Sequence, residues 1–404
     1  MSTHSQSKAS TSGNVWEVFT VFLRLGLTSF GGPVAHLGYF HEVFVRRRRW
    51  VNERAYADLV ALCQLLPGPA SSQVGMALGL QRAGYGGLVA AWVGFTLPSA
   101  LLLFGFALGA PWLGRELGDG WITGLKAAAV AVVAHAVLGM ARVLTPDAFR
   151  ATIAAGTLAL VLLFPGSLTQ LLAMASAAVA GLLWLKQSAA VDPPDAAGHR
   201  SGSRSLAAGA LVLFGALLVL LPVIASLGHS AVVQLADIFY RVGSLVFGGG
   251  HVVLPLLETE VVASGLVGEE MFLAGYGAAQ AVPGPLFTFA AFLGALVPGS
   301  LPPAVGSLVA LLAIFLPSAL LVAGTLPFWD RLRQMPRVRQ GLAGVNAAVV
   351  GLLAAALYSP VFIHGIPGTS AFVLAILCFV ALTMWRAPAW AVALGAALFG
   401  GFFF

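Results

Sequence analysis

Charged residues are scarce in this sequence, and their scarcity excludes an ordinary soluble protein. Only 9% of the 404 residues are charged and 59% are hydrophobic, with a mean hydropathy of +0.93. A single soluble core cannot bury so much apolar surface, so most of the chain must lie in a lipid bilayer. The composition predicts an all-α polytopic membrane protein.

Cysteines and catalytic motifs are also scarce. Cys63 and Cys378 lie in separate apolar segments, which excludes a disulfide framework and a cysteine metal cluster. The sequence has no glycine-rich phosphate loop, no HExxH motif and no paired intramembrane acids. We therefore expect no cofactor, no metal and no enzymatic activity.

A signal peptide and a nucleic-acid-binding surface are not indicated either. Residues 1–14 are polar and lack an apolar run with a cleavage pattern, so they are interpreted as a free N-terminal tail. The net charge of +6 comes from basic residues in short loops between apolar spans. Such loops orient a membrane protein, so we expect no nucleic-acid partner.

Thirteen apolar segments follow the tail, and four of them contain helix-breaking motifs. The motifs are FGGP in 15–44, LPGP in 56–82, FGGG in 231–257 and VPGP in 270–297. Each of these segments is long enough for two short helices. We interpret them as re-entrant helix hairpins, which leaves about nine full crossings.

The chain contains an internal repeat. FLRLGLTSFGG matches IFYRVGSLVFGG, CQLLPGPA matches AQAVPGPL, LPSALL occurs twice, and GLKAAAVAVV matches GLAGVNAAVV, all offset by 216 to 219 positions. Four matches in register indicate a duplication. We assign 15–186 to the first repeat, 187–228 to a polar linker plus a linker helix, and 229–404 to the second repeat.

The distribution of arginine and lysine predicts the topology. If the hairpins enter and leave on one side and the N-terminus is cytoplasmic, most of the 21 basic residues fall on the cytoplasmic face. The single linker helix then inverts the second repeat and places the C-terminus in the periplasm. Inverted repeats with broken helices are typical of secondary transporters.

The breaks predict an anion site. Backbone amides freed at membrane depth must line a cavity, and helix starts with exposed N–H groups attract anions. The candidate substrate-binding residues are Arg24, Phe30, Gly31, Gly32, Gln64, Pro67, Gly68, Ser71, Ser72, Arg241, Phe247, Gly248, Gly249, Gln280, Pro283, Gly284 and Thr288.

Arg24 and Arg241 occupy equivalent positions, six residues before each FGG. An arginine in the bilayer costs about 2.5 to more than 10 kcal/mol, so a matched pair requires a reason. A shared dianion would supply one. The alternative is that each arginine bonds carbonyls or an acid such as Asp237 and only holds its hairpin in place.

Three further side chains are candidates for a charge or proton role. Lys126 either meets the substrate or extends to the outer interface. His36 and His251 lie near the two FGG breaks without being equivalent, so each is either a proton carrier or a hydrogen-bonded packing residue. The matched Gln64 and Gln280 either donate to an oxyanion or cap the broken backbone.

SFGGPVAHLGYF, LCQLLPGPASSQVGMALG, VFGGGHVVLPLLE and QAVPGPLFTFAAFLGA resemble the signature segments of the chromate ion transporter family in its long, two-domain form. The resemblance covers nearly the whole chain except the tail and linker. It implies a bacterial inner-membrane transporter that exports chromate and confers chromate resistance.

Two alternatives to the chromate exporter stay open at this stage. Sulfate or a related oxyanion could be the substrate, with chromate admitted because of its shape. A non-transporting membrane scaffold would use the hairpins only for packing. The lipid bilayer is the expected partner in every case, and the sequence leaves a homodimer open.

Overall fold

The computed structural model describes residues 13–30, 32–117, 120–185, 204–228, 230–246, 253–299, 301–329 and 335–403. Within these ranges the regular structure is helical and contains no strand. The prediction of an all-α membrane protein is confirmed.

In the described part of the chain, seven helices precede the linker helix. They are α1 (Val15–Thr28), α2 (Gly32–Phe40), α3 (Glu53–Leu65), α4 (Ala70–Leu117), α5 (Gly120–Leu144), α6 (Ala148–Leu163) and α7 (Ser167–Trp184). A π-helical segment, His41–Arg47, extends α2. Helix α4 is bent at Ala83 and Gly84, where Gly84 adopts a φ of +65° that favours glycine.

The linker helix α8 (Arg204–Leu227) leads to the second half of the chain. Its helices are α9 (Ala231–Leu245), α10 (Val253–Leu257), α11 (Glu269–Ala281), α12 (Phe289–Leu296), α13 (Pro303–Thr325), α14 (Pro336–Ala356), α15 (Ile363–Gly365), α16 (Thr369–Thr383) and α17 (Ala389–Phe403). Short π or 3-10 segments cover Glu258–Val262, Leu286–Thr288, Leu326–Phe328 and Leu357–Phe362.

Local sequence explains several helix starts. The side chains of Asn14, Asn52 and Asp147 each accept a hydrogen bond from a backbone N–H in the first turn of the following helix. These bonds satisfy donors that have no intrahelical partner, and each such cap contributes about 1 kcal/mol.

Many large apolar side chains lie on the outer surface of the described helices. Five helices are long and apolar enough to cross a membrane, and the strongly apolar window of α8 contains no buried residue. A helix that exposes leucine and valine on this scale requires lipid around it. The chain is therefore a multi-pass membrane protein.

Each of the four broken segments contains two helical pieces, as the motifs predict. The pieces are α1 with α2, α3 with the start of α4, α9 with α10, and α11 with α12. Helices α1 and α9 pack against the equivalent helices α4 and α13, respectively.

The two halves exchange helices. The first-half helix α5 packs against α16 and α17 of the second half, while its counterpart α14 packs against α6 and α7 of the first half. Glycine allows both contacts to be close, since a Cβ on Gly124 would meet the Ala396 carbonyl and one on Gly344 would meet the Ala177 carbonyl. The halves are intertwined rather than side by side.

Candidate functional site: the junction of the four helix breaks

The four breaks meet in two crossed pairs. The N–H of Gly284, in the second PGP motif, donates to the carbonyl oxygen of Ser29 over 2.9 Å. The N–H of Gly68, in the first PGP motif, donates to the carbonyl oxygen of Val246 over 2.6 Å. Ser29 and Val246 are the equivalent residues that precede the two FGG motifs. We call these four residues, with the side chains that contact them, the central junction.

Two equivalent serines close the junction from the opposite half. A Cβ on Gly284 would lie 2.7 Å from Ser99 Oγ, and one on Gly68 would collide with Ser318 Oγ. Both glycines also have positive φ angles, +106° for Gly284 and +118° for Gly68. Glycine is therefore required at both tips, by backbone conformation and by lack of space.

His36 connects the first FGG break to the start of α4. Its Nε2 lies 3.2 Å from the Ser29 carbonyl oxygen and its Nδ1 lies 3.4 Å from Ser71 Oγ, while the ring is buried. A carbonyl oxygen can only accept, so Nε2 carries the proton and Ser71 donates to Nδ1. The Phe95 ring meets the imidazole edge-on at 5.1 Å.

Gln73 performs a similar linking role at the other crossed pair. Its Nε2 donates to the Pro67 carbonyl oxygen over 2.6 Å and to Ser318 Oγ over 3.3 Å. The Pro67 carbonyl can only accept, which fixes the orientation of the Gln73 amide. Its Oε1 is buried and has no hydrogen-bond donor among the described residues.

Several other buried polar atoms at or beside the junction have no partner in the described part of the chain. They are Ser29 Oγ, Ser72 Oγ, Thr96 Oγ1 and Gln280 Nε2. Native proteins leave few such atoms without a hydrogen bond, so a cluster of them indicates a place where water or a polar ligand binds. Thr288, by contrast, donates to the Pro285 carbonyl.

A small cavity opens beside the Gly284–Ser29 contact. It is lined by Gly32, Pro33, Ala279, Gln280, Val282, Gly284, Leu286 and Ala389. Its volume of about 20 Å³ admits roughly one water molecule, so this conformation is closed to an oxyanion. The predicted residues Gly32, Gln280 and Gly284 are brought together as lining of this cavity.

The three charged candidates lie in different surroundings. Arg24 is exposed on α1. Arg241 pairs with Asp237 at 3.1 Å and with Glu260 at 3.0 Å, which fits the alternative that it holds its hairpin in place. Lys126 is buried and pairs at 3.2 Å with the exposed Glu270.

The remaining candidates are distributed as follows. Phe30 contacts the Trp390 ring, Gln64 is exposed, and Pro67 and Pro283 flank the glycines of the PGP tips. Gly31, Phe247, Gly248, Gly249 and His251 lie outside the described residues.

Five residues of the junction were not among the sequence-based candidates: Ser29, Gln73, Ser99, Val246 and Ser318. Ser99 and Ser318 could have been identified from the sequence, because they are polar residues at matching positions of the repeated LPSALL segment. Gln73 could also have been identified, because it is an amide side chain in an apolar segment, five residues after the glycine of the first PGP motif. Nothing in the sequence shows that each half contacts the opposite half.

No metal centre is apparent in the described ranges, where no group of three or more His, Cys, Asp or Glu side chains could hold an ion. Cys63 and Cys378 are buried and form no disulfide. The described part of the junction consists of backbone amides, hydroxyls, carboxamides and the imidazole of His36.

A sequence profile described as chromate transporter matches residues 16–182 and, a second time, residues 233–401. The chain belongs to the chromate transporter family. This membership points to transport rather than catalysis. The double match covers the same two regions in which the repeated motifs occur.

Several curated proteins are similar over most of their length. The chromate transport protein of Pseudomonas aeruginosa is 28% identical over 352 residues, which cover 84% of this chain and 79% of that protein. The probable chromate transport protein of Synechococcus elongatus is 29% identical and covers 83% of this chain and 82% of its own. The chromate transport protein of Cupriavidus metallidurans is 28% identical, and the match covers 83% of this chain and 80% of that protein. No solved structure matches the chain significantly.

Proposed function

We propose that this protein is a secondary transporter that exports chromate across the bacterial inner membrane and thereby confers chromate resistance. Family membership and the names of the similar proteins support chromate as the substrate. The observation that carries the proposal is the crossed pair of hydrogen bonds from Gly284 to Ser29 and from Gly68 to Val246. They bring all four helix breaks to one buried junction that contains unpaired polar atoms.

The two halves form an inverted repeat with four re-entrant hairpins, the N-terminus in the cytoplasm and the C-terminus in the periplasm. The reciprocal contacts of Ser99 with Gly284 and of Ser318 with Gly68 support a two-fold relationship between the halves. The exchange of α5 and α14 supports it as well. Two equivalent, intertwined halves can rock about the junction and open it alternately to each side.

The membrane potential supplies the driving force for export. With the cytoplasm negative, each exported negative charge gains about 2.3 kcal/mol per 100 mV. Export therefore requires no ATP, in agreement with the absence of a nucleotide-binding motif from the sequence.

The oxyanion binds at the central junction, where the Ser72 hydroxyl and the Gln280 amide have no hydrogen-bond partner among the described residues and Ser71 lies at the start of α4 in contact with His36. Arg24 supplies positive charge on the way to the junction. Arg241, bonded to two acids, fixes its hairpin and acts on the substrate only indirectly.

Transport by everted membrane vesicles tests this function. Vesicles that contain the protein should accumulate labelled chromate when a potential is imposed, whereas vesicles with a Gly68→Ala/Gly284→Ala variant at equal protein level should not. Preferential accumulation of sulfate would favour the alternative oxyanion. Absence of potential-dependent accumulation of both ions would contradict transport and leave the scaffold hypothesis.

A further inference from the structure

The two halves of the central junction differ in chemistry although they share one architecture. At three pairs of equivalent, buried positions, the first repeat has a polar side chain and the second has an apolar one. The pairs are Ser29 and Val246, His36 and Val253, and Thr96 and Phe315. Because the second repeat builds its half with apolar residues, the polar ones are not needed for the fold. The first repeat therefore forms the polar half of the junction.

The hydrogen-bonding capacity of this polar half includes acceptors as well as donors. The Gln73 amide donates its two N–H groups to the Pro67 carbonyl oxygen and to Ser318 Oγ. Its buried Oε1 therefore remains available as an acceptor. Ser71 donates its hydroxyl hydrogen to His36 Nδ1, so Ser71 Oγ can only accept a hydrogen bond from any further partner. The hydroxyls of Ser29 and Ser72 remain able to donate.

An open acceptor discriminates between oxyanions. Sulfate and selenate carry only acceptor oxygens at neutral pH, because hydrogen sulfate and hydrogen selenate lose their proton far below neutral pH. Their oxygens would be repelled by a buried carboxamide oxygen. Hydrogen chromate is a weak acid that loses its proton near neutral pH, and it presents one O–H donor with three acceptor oxygens. That set matches a site with several hydroxyls and an unpaired Oε1.

The charges near the junction also favour a monoanion. Within the described ranges no lysine or arginine is hydrogen-bonded to the junction. Arg24 is exposed, Arg241 is neutralised by Asp237 and Glu260, and Lys126 pairs with Glu270. Hydroxyls and amides without a cation stabilise one buried negative charge better than two, because each added charge increases the desolvation cost that these donors must offset.

We propose, given chromate transport at this junction, that the protein binds chromate together with one proton, as hydrogen chromate, and that the Gln73 Oε1 accepts that proton in a hydrogen bond. Gln73 then selects chromate over sulfate by protonation state rather than by size. No covalent bond is made or broken, and the proton travels with the anion.

Few protein groups near the junction titrate. His36 is the titratable side chain hydrogen-bonded there. Four acids on the helices packed against α4 form ion pairs elsewhere: Glu17 with Arg48 and Arg82, Glu53 with His41, Glu269 with His364, and Glu270 with Lys126. The other titratable residues on these helices are Arg24, Tyr39, Arg54, Tyr56, Asp58, Cys63 and Tyr276.

Calorimetric binding to the purified protein tests the inference, with selenate as the matched ligand because it is nearly the size of chromate. Above the pKa of hydrogen chromate, the apparent Kd for total chromate should rise about tenfold per pH unit, since only the protonated fraction binds. Selenate should bind weakly at every pH. Equal binding of chromate and selenate, independent of pH, would overturn the inference.

Two variants separate the role of Gln73 from that of His36. Gln73→Met keeps the side-chain length and removes the acceptor, so the preference for chromate over selenate should shrink. His36→Asn should retain the pH dependence of chromate binding, because the substrate rather than the histidine titrates. Loss of the pH dependence in His36→Asn would assign it to the imidazole instead. If either variant does not fold, the comparison of ligands on the unmodified protein still decides.

Proteoliposomes with equal pH on both sides provide a second readout. Transport of one negative charge gives an equilibrium accumulation of about fiftyfold per 100 mV, whereas two charges give about two-thousandfold. The larger accumulation ratio would refute the inference that a proton travels with the anion, while it would still support chromate transport. Failure of chromate to accumulate at all would instead refute the proposed function.

Discussion

Gly284 donates its backbone N–H to the carbonyl oxygen of Ser29 over 2.9 Å, and this bond joins two residues that are 255 positions apart. Its counterpart joins Gly68 to Val246. Neither carbonyl lies inside a helix of its own half, so each break in one half is satisfied by a tip of the other. The two halves therefore depend on each other for the backbone hydrogen bonds at their breaks.

The two tip glycines should not tolerate a side chain. Alanine at 68 or 284 would be forced into a positive φ, at a cost of about 1 to 2 kcal/mol, and would press against a serine of the other half. We expect lower thermal stability in detergent and loss of chromate transport. Gly38→Ala in α2 is the control, because its Cβ would have open space and alanine favours helix. Equal effects at 38 and 284 would contradict the tip model.

The two equivalent arginines should behave differently. Arg241→Gln leaves Asp237 and Glu260 without their cation and should reduce the free energy of unfolding by about 1 to 3 kcal/mol. Adding Asp237→Asn should restore part of that loss. Arg24→Gln should leave the thermal stability unchanged and raise the KM for chromate. Identical stability losses in both single variants would argue against this division of roles.

Unpaired hydroxyls should contribute to binding, whereas paired ones should contribute to stability. Ser72→Ala removes a buried hydroxyl that has no described partner, so the KM for chromate should rise about two- to tenfold with stability retained. Ser244→Ala removes a buried hydroxyl that donates to the Tyr240 carbonyl. This control should lose about 1 kcal/mol of stability and keep its KM. If Ser72→Ala lost stability and kept its KM, the start of α4 would not be part of the binding site.

The inverted topology can be tested by labelling single cysteines. Arg47, Ser264 and Met335 are exposed, whereas both native cysteines are buried and should react little. Cysteines at 47 and 335 should be labelled only from the cytoplasm, and a cysteine at 264 only from the periplasm. Labelling of 47 and 335 from opposite faces would exclude the re-entrant hairpins.

The sequence by itself determined the all-α membrane class, the four broken segments and the membership of Gly32, Gln280 and Gly284 in one region. Those features depend on composition, on glycine and proline at fixed spacing, and on repeats, all of which are local or periodic. Only the tertiary structure decided that α5 and α14 are exchanged and that Gly284 bonds Ser29 across the halves. A hydrogen bond between two backbone groups leaves no side-chain signature, so no pattern of residue types could reveal it. Burial likewise decided which hydroxyls stay unpaired, because pairing depends on the neighbours that folding brings together.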